Sequence, residues 1–153
     1  MIVINQENQE IYTAQIKTVR AKDLKQIHCE KQFSFDWELE KANQLFKLVL
    51  KDTNTILGLM SLIDYPSELR IEIHLLELSE AHKGKEKKIG RIAGYLIAYA
   101  CKLAFKKGYG SFVSLVPKTR LIKHYQEAYG FLQFGRQLAL LDESSKKLIE
   151  KYL

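Results

Sequence analysis

The period of apolar and polar positions changes repeatedly along this chain, and each change marks an element. Residues 11–19 (Ile-Tyr-Thr-Ala-Gln-Ile-Lys-Thr-Val) alternate well enough to predict a first strand, and 22–29 reads as a short amphipathic helix. The stretch Gln32-Phe33-Ser34-Phe35-Asp36-Trp37-Glu38 fits either a loop or a short helix, and 45–50 is a strand. Turn residues Asp52-Thr53-Asn54-Thr55 then join it to a second strand over 56–63, which predicts a hairpin closed by Tyr65-Pro66-Ser67. Over 69–78 the alternation is long, with Ile71, Ile73 and Leu75 on one face and Glu72 and His74 on the other. A helix over 93–107, stopped by Gly108, is apolar nearly all round and must be buried against a sheet. A short buried strand at 111–116 ends at Pro117, a helix at 120–129 ends at Gly130, and strands at 131–134 and 137–141 lead into a terminal helix over 144–153. The order β-α-β-β-β-α-β-α-β-β describes an α/β chain with a mixed sheet flanked by helices.

Composition narrows the class. With 153 residues, 46% of them hydrophobic, the chain can form one compact domain spanning 1–153 without disulfides or metal. Cys29, Cys101 and the four histidines show no metal-ligand spacing, so no metal is implied. Cys101, in mid-helix among alanines and leucines, reads as an inert buried thiol in a reducing compartment. The first residues lack the basic start and apolar core of a signal peptide, and the longest apolar run is too short to span a bilayer, so the expected location is cytoplasmic, with no membrane partner. A net charge of +6 favours anionic partners without choosing among a phosphorylated cofactor, nucleic acid and acidic peptides. Only the run Lys83-Gly84-Lys85-Glu86-Lys87-Lys88-Ile89-Gly90-Arg91 is locally dense. It leads straight into the apolar helix, so backbone amides, the helix dipole, glycine and cationic side chains all converge there on a candidate anion site.

That basic loop before the central helix, within this order of elements, resembles the GNAT acyltransferases, which carry acetyl and related groups from acyl-coenzyme A to an amine. The resemblance implies a mixed, mostly antiparallel sheet with splayed central strands, with acetyl-CoA as co-substrate. The family's arginine/glutamine-x-x-glycine-x-glycine/alanine loop, whose amides hold the coenzyme pyrophosphate, falls on Lys88, Arg91 and Ala93. Lysine replaces the first residue there, Arg91 occupies the central glycine position, and Gly90 and Gly94 lie one residue outside the pattern. A frame on Lys87 and Gly90 restores one glycine but puts Ile92 where a small residue belongs; the first frame aligns Leu96 and Ile97 with the usual apolar pair. The cofactor set implied is Lys88, Ile89, Gly90, Arg91, Ile92, Ala93 and Gly94, with backbone groups at Leu76 and Leu78 pairing with the pantetheine arm in a cleft between the 69–78 and 111–116 strands. Lys118 meets the adenosine phosphate, with Arg120 and Lys123 as alternatives.

Downstream, Lys118, Leu121, His124 and Tyr125 followed by Gly130-Phe131 resemble the family's closing helix and glycine-phenylalanine ending, with one residue more than usual between Tyr125 and Gly130. Tyr125 inherits the role of proton donor to the departing thiolate, ahead of Tyr129. Glu72 takes the place of the family's general base, with His74 as an alternative and Glu77 another if a bulge near Leu75 changes the face. In the acceptor segment, Asp36 can meet a cationic amine and Trp37 can pack over it. The expected activity is direct N-acyl transfer to a primary amine on a small molecule or protein. A non-catalytic acyl-CoA sensor, a tRNA-directed acetyltransferase toxin and a homodimer all remain open.

Overall fold

The computed structural model describes residues 2–4, 9–82, 91–117 and 122–153. The strands are β1 (Ile2–Ile4), β2 (Ile11–Thr18), β3 (Gln44–Leu50), β4 (Ile56–Tyr65), β5 (Arg70–Leu78), β6 (Val113–Leu115), β7 (Leu132–Phe134) and β8 (Gln137–Leu140). The helices are α1 (Ala21–Glu30), α2 (Ile92–Lys106), α3 (Ile122–Tyr129) and α4 (Asp142–Tyr152), with 3-10 turns at Trp37–Glu40, Pro66–Glu68 and Glu80–His82. The hydrogen-bonded strand order is β1-β2-β3-β4-β5-β6-β8-β7. The β5–β6 pair is parallel, and the pairs β1–β2, β2–β3, β6–β8 and β7–β8 are antiparallel.

Elements and sequence pattern agree closely, with three informative differences. β1 was not anticipated; it is three residues long and registers Ile2 to Thr13 and Ile4 to Ile11 on β2. β6 begins at Val113 rather than 111 because Ser111 is left-handed, with φ +58°, which an extended strand cannot contain. α4 begins at Asp142, where Asp142 and Glu143 complement the helix dipole and Asp142 pairs with Lys146 at 3.3 Å.

The chain forms two compact units, residues 1–61 with 75–96, and residues 62–74 with 97–153. In the first, Leu24 and Ile27 of α1 pack with Trp37, Leu45 and Leu59, and Val19, Phe33, Ile56 and Leu75 close over them. The β3–β4 hairpin turns at Asn54, whose φ of +58° suits asparagine, and Leu50 N donates to Thr55 O at 3.0 Å. α1 is fixed at its start by Asp23. One carboxylate oxygen accepts from Arg20 N at 2.7 Å, and the other pairs with Lys47 of β3 at 3.0 Å. α2 begins against β4 at Gly58, where an added Cβ would lie 3.0 Å from both Ile92 Cγ2 and Leu96 Cδ1 and 3.4 Å from Glu77 O. Glycine is what lets this helix start approach the strand so closely.

The second unit buries Leu62, Ile71, Ile73, Ile97, Cys101, Ala104, Val113, Phe131, Leu138, Leu140 and Leu148. Burial pushes the Cys101 thiol up to about 12, so it stays protonated and unreactive. Ser145 of α4 donates through Oγ to Ser111 O at 2.6 Å, whereas the buried Ser111 hydroxyl has no partner among the described residues. α3 ends at Gly130, φ +80°, where Gly130 N donates to Gln126 O and Phe131 N to Tyr125 O, turning the chain sharply enough to seat Phe131 beneath the helix. β7 is three residues long, exposed throughout, and last in the strand order.

Two stability outcomes follow from the first unit. Burial raises the Asp23 pKa, but the Arg20 amide and Lys47 outweigh it and hold the carboxyl below its usual value. A depressed folded pKa stabilises the fold above the unfolded value near 4 and ceases to as pH falls through the folded one. Asp23→Asn therefore costs about 2 kcal/mol at neutral pH, a difference that narrows as pH falls through the folded value, in urea titrations run at neutral and at acid pH. Gly58→Ala forces Ile92 or Leu96 to give way and lowers stability by about 1–2 kcal/mol in the same assay.

Candidate active site

In β5 the odd-numbered residues Ile71, Ile73 and Glu77 are buried, while Leu75 and Leu76 are both half-buried. Glu77 therefore points inward, only 3% exposed. Its Oε2 accepts from Ser34 N and Ser34 Oγ, each at 2.7 Å, and its Oε1 accepts from Phe35 N at 3.2 Å and from the Trp37 indole Nε1 at 3.0 Å. A buried carboxylate is tolerated only when it is hydrogen-bonded in this way. Glu77 thus fastens the segment after α1 rather than presenting a base to solvent.

That segment forms one wall of a pocket of about 310 Å³, lined by Leu24, Ile27, His28 and Lys31 of the α1 end and by residues 33–38. Asp36 is exposed there, and its Oδ1 accepts from Glu38 N at 3.1 Å, capping the 3-10 turn. Trp37 is 3% exposed; its indole belongs to the core cluster, its N–H is held by Glu77, and the residue also lines the pocket. The pocket wall is therefore built on a core residue.

The α2 start is described from Arg91 onward; Lys88, Ile89, Gly90 and Lys118, and the basic run at Lys83, Lys85 and Lys87, lie outside the described residues. Arg91 is exposed and has φ +68°, a left-handed conformation, at the position where the resemblance expects glycine. Its carbonyl accepts the first helical bond, from Tyr95 N at 3.1 Å, and its guanidinium lies 6.0 Å from the Tyr95 ring centre. Ile92 and Gly94 are buried and Ala93 half-buried, so the side chains of this turn face the fold and leave its amides as the polar groups. Leu76 and Leu78 are half-buried on the even face of β5. The β5–β6 register covers Ile71, Glu72 and Ile73, ending opposite Leu115.

Glu72 sits opposite Ser114 in that register, its side chain 12% exposed. The sequence reading missed its neighbour Arg70, which donates to Glu72 Oε1 at 3.4 Å, to Ser114 Oγ at 2.8 Å and to Glu68 Oε2 at 3.0 Å, and lies 4.0 Å over the Tyr65 ring. The signal was present in the i, i+2 spacing of Arg70 and Glu72, which places them on one strand face. His74, on the same face, is exposed. Tyr125 packs edge-on against Phe131 at 5.8 Å and lies 6.0 Å from Tyr129. Burial pushes the Tyr125 phenol up; Tyr129 is pushed up further, by burial and then by the neighbouring Tyr152 and Tyr125 phenols. Both phenols keep their protons throughout the neutral range, as a proton donor must. Among the described residues, no group of three or more His, Cys, Asp or Glu is placed to hold a metal, and no helix is long and apolar enough to cross a membrane.

No curated protein sequence matches this chain. Among solved structures, a chimera of the spermidine N-acetyltransferase SpeG from Vibrio cholerae with hSSAT is similar, with a TM-score of 0.65 at 19% identity, over 87% of this chain and 98% of that one. AtaTR bound with AcCoA gives 0.58 at 12% identity over 88% and 97%, and AtaT complexed with acetyl-methionyl-tRNA gives 0.57 at 10% over 89% and 99%. At such identities the likeness is one of fold, a mixed, mostly antiparallel sheet with four helices among the described residues. The sequence itself matches the Acetyltransferase (GNAT) family over residues 9–131, more than half of its length, and the chain belongs to that family.

Proposed function

We propose that residues 1–153 form one acyltransferase domain that moves an acetyl group from acetyl-CoA to a primary amine by direct transfer. The observation that carries this reading is the family match spanning β2 to the end of α3, within which Arg91 adopts a left-handed backbone immediately before α2. A left-handed residue ahead of a helix turns successive amides toward one side, and such concavities bind anions such as a pyrophosphate. The guanidinium of Arg91 adds charge where the family has only backbone, and the basic run before it adds more.

In this reading Glu72, steadied by Arg70, takes a proton from the incoming ammonium, directly or through water, so that the nitrogen lone pair can attack the thioester carbonyl. Backbone groups at Leu76 and Leu78 hold the pantetheine arm, and one amide stabilises the developing oxyanion. Tyr125 donates its phenolic proton to the departing thiolate. The C–N bond forms, the attacking nitrogen gives its second proton to water, the C–S bond breaks, Tyr125 is reprotonated from water, Glu72 returns its proton to solvent, and an amide and free coenzyme A leave. The pocket bounded by residues 33–38 receives the acceptor, with Asp36 facing its charge. Two of the similar structures, a spermidine N-acetyltransferase and a protein complexed with acetyl-methionyl-tRNA, mark two acceptor classes for trial. The net charge of +6 is compatible with a tRNA acceptor and does not choose it over a small amine.

Calorimetric titration with acetyl-CoA tests the reading. Wild type binds near micromolar, and Lys88→Glu with Arg91→Glu weakens binding at least about 30-fold by reversing two charges at the anion. Arg91→Gly keeps the backbone geometry and loses only a few-fold. In a thiol-release assay with polyamine, amino acid and tRNA acceptors, Tyr125→Phe lowers kcat about 100-fold while the acetyl-CoA affinity stays put. Because burial raises the Tyr125 pKa, the alkaline limb of kcat that it governs lies above about pH 10. No acetyl-CoA binding at millimolar ligand sinks the acetyl-donor reading. Salt-sensitive RNA binding that disappears when Lys83, Lys85, Lys87 and Lys88 are neutralised, with coenzyme affinity measured alongside, identifies the tRNA acceptor.

A further inference from the structure

The Glu77 carboxylate stands at a junction. Along the chain it lies between Leu76 and Leu78, the strand positions that hold the donor in the proposed reaction. Through space it is bonded to Ser34, Phe35 and Trp37, which with Asp36 form the pocket wall for the acceptor. Both of its oxygens serve two donors each, and two of the four donors are main-chain amides, so the carboxylate fixes backbone positions and not merely side-chain rotamers. Asp36, flanked by residues clamped on either side, inherits its place from Glu77.

We infer that Glu77 is a positioning residue for the acceptor amine, setting the Ser34–Trp37 wall at a fixed distance from the donor-holding end of β5. The inference rests on the acyl-transfer reading. Bringing two reactants within attack distance supplies much of the rate of a transfer reaction, and a displacement of about 1 Å in a positioning element costs on the order of 100-fold. Four charge-assisted hydrogen bonds converging on one buried group resist such a displacement far better than packing alone.

Trp37 is the chain's single tryptophan, so its emission and its quenching by acrylamide report on this clamp without interference. Glu77→Gln keeps the shape but turns an NH₂ toward two of the four donors. Ser34→Ala removes only the hydroxyl donor and serves as the milder variant should the glutamine form fail to fold. Acceptor probes are spermidine, a free amino acid, a peptide N-terminus and an aminoacyl-tRNA, the fastest with wild type being used for all variants. The expected result for Glu77→Gln is red-shifted, more readily quenched Trp37 emission, an acceptor kcat/KM lowered about tenfold or more with a fall in kcat, and an acetyl-CoA Kd within about twofold of wild type. Ser34→Ala moves the same quantities in the same direction, with kcat/KM down about threefold. A looser Trp37 with an unchanged acceptor kcat/KM overturns the inference, because the clamp would then serve packing alone. An acetyl-CoA Kd that rises in step with the fall in acceptor kcat/KM also overturns it, as the mark of general loosening. Wild type that turns over none of the probes overturns the transfer reading and the role of Glu77 within it, whereas turnover with kcat/KM unmoved in both variants removes the role of Glu77 alone.

Discussion

A carboxylate taken out of water must be given back hydrogen bonds equivalent to those it lost, and much of the first unit is arranged to satisfy this demand at Glu77. The strand that carries it is otherwise an alternating one, so the buried face places an acid where a leucine or isoleucine would normally sit. Satisfying it draws in the chain after α1, and with that chain comes Trp37, whose ring then completes the cluster of Leu24, Ile27, Leu45 and Leu59. The polar and the apolar parts of this unit are thus a single arrangement: packing buries the indole, the carboxylate orients it through its N–H, and without the indole the carboxylate lacks one of its donors.

How far the sequence could be read depended on the range of the interactions involved. Strands and helices were legible because their signals are local. The alternation through Ile71 and Ile73, the turn residues before Ile56 and the glycine after Tyr129 each act over a few residues. β1 escaped because three residues are too few to show a period, and the register with β2 that defines it is not local. The same limit hid the clamp. Glu77 and Ser34 are 43 residues apart, and no pattern within either segment announces the other. Trp37 and Asp36 were recognised as notable but read as a pair facing one ligand, whereas the backbone sends the indole inward and the carboxylate outward. Arg70 lay within reach of the strand pattern, yet its link to Ser114 requires the parallel pairing of β5 with β6, which sequence order alone does not specify.

The departure at the helix start has a physical resolution. Glycine recurs in anion-binding loops because it reaches left-handed φ at no cost and lets a ligand come close. Arg91 reaches the same φ at a cost on the order of 1 kcal/mol, and keeps the amide direction while exchanging bare backbone for a cation. The close approach that glycine provides is found instead one layer below, at Gly58, where α2 and β4 meet. Backbone permissiveness and backbone proximity, often supplied by a single glycine, are divided here between two residues.

The two ends of the strand order have a bearing on behaviour in concentrated solution. β1 and β7 are each three residues long, and β7 shows Leu132 at 49% and Phe134 at 57% exposure, an apolar edge of the kind that templates strand addition between molecules. Its brevity is the safeguard. A three-residue edge offers too few free amides and carbonyls for a foreign strand to add cooperatively, and Gly135, left-handed at φ +61°, turns the chain away directly afterwards. The protein can therefore keep hydrophobic side chains on its last strand without that strand becoming a seed for aggregation, and its colloidal stability rests on the length of an edge rather than on its polarity.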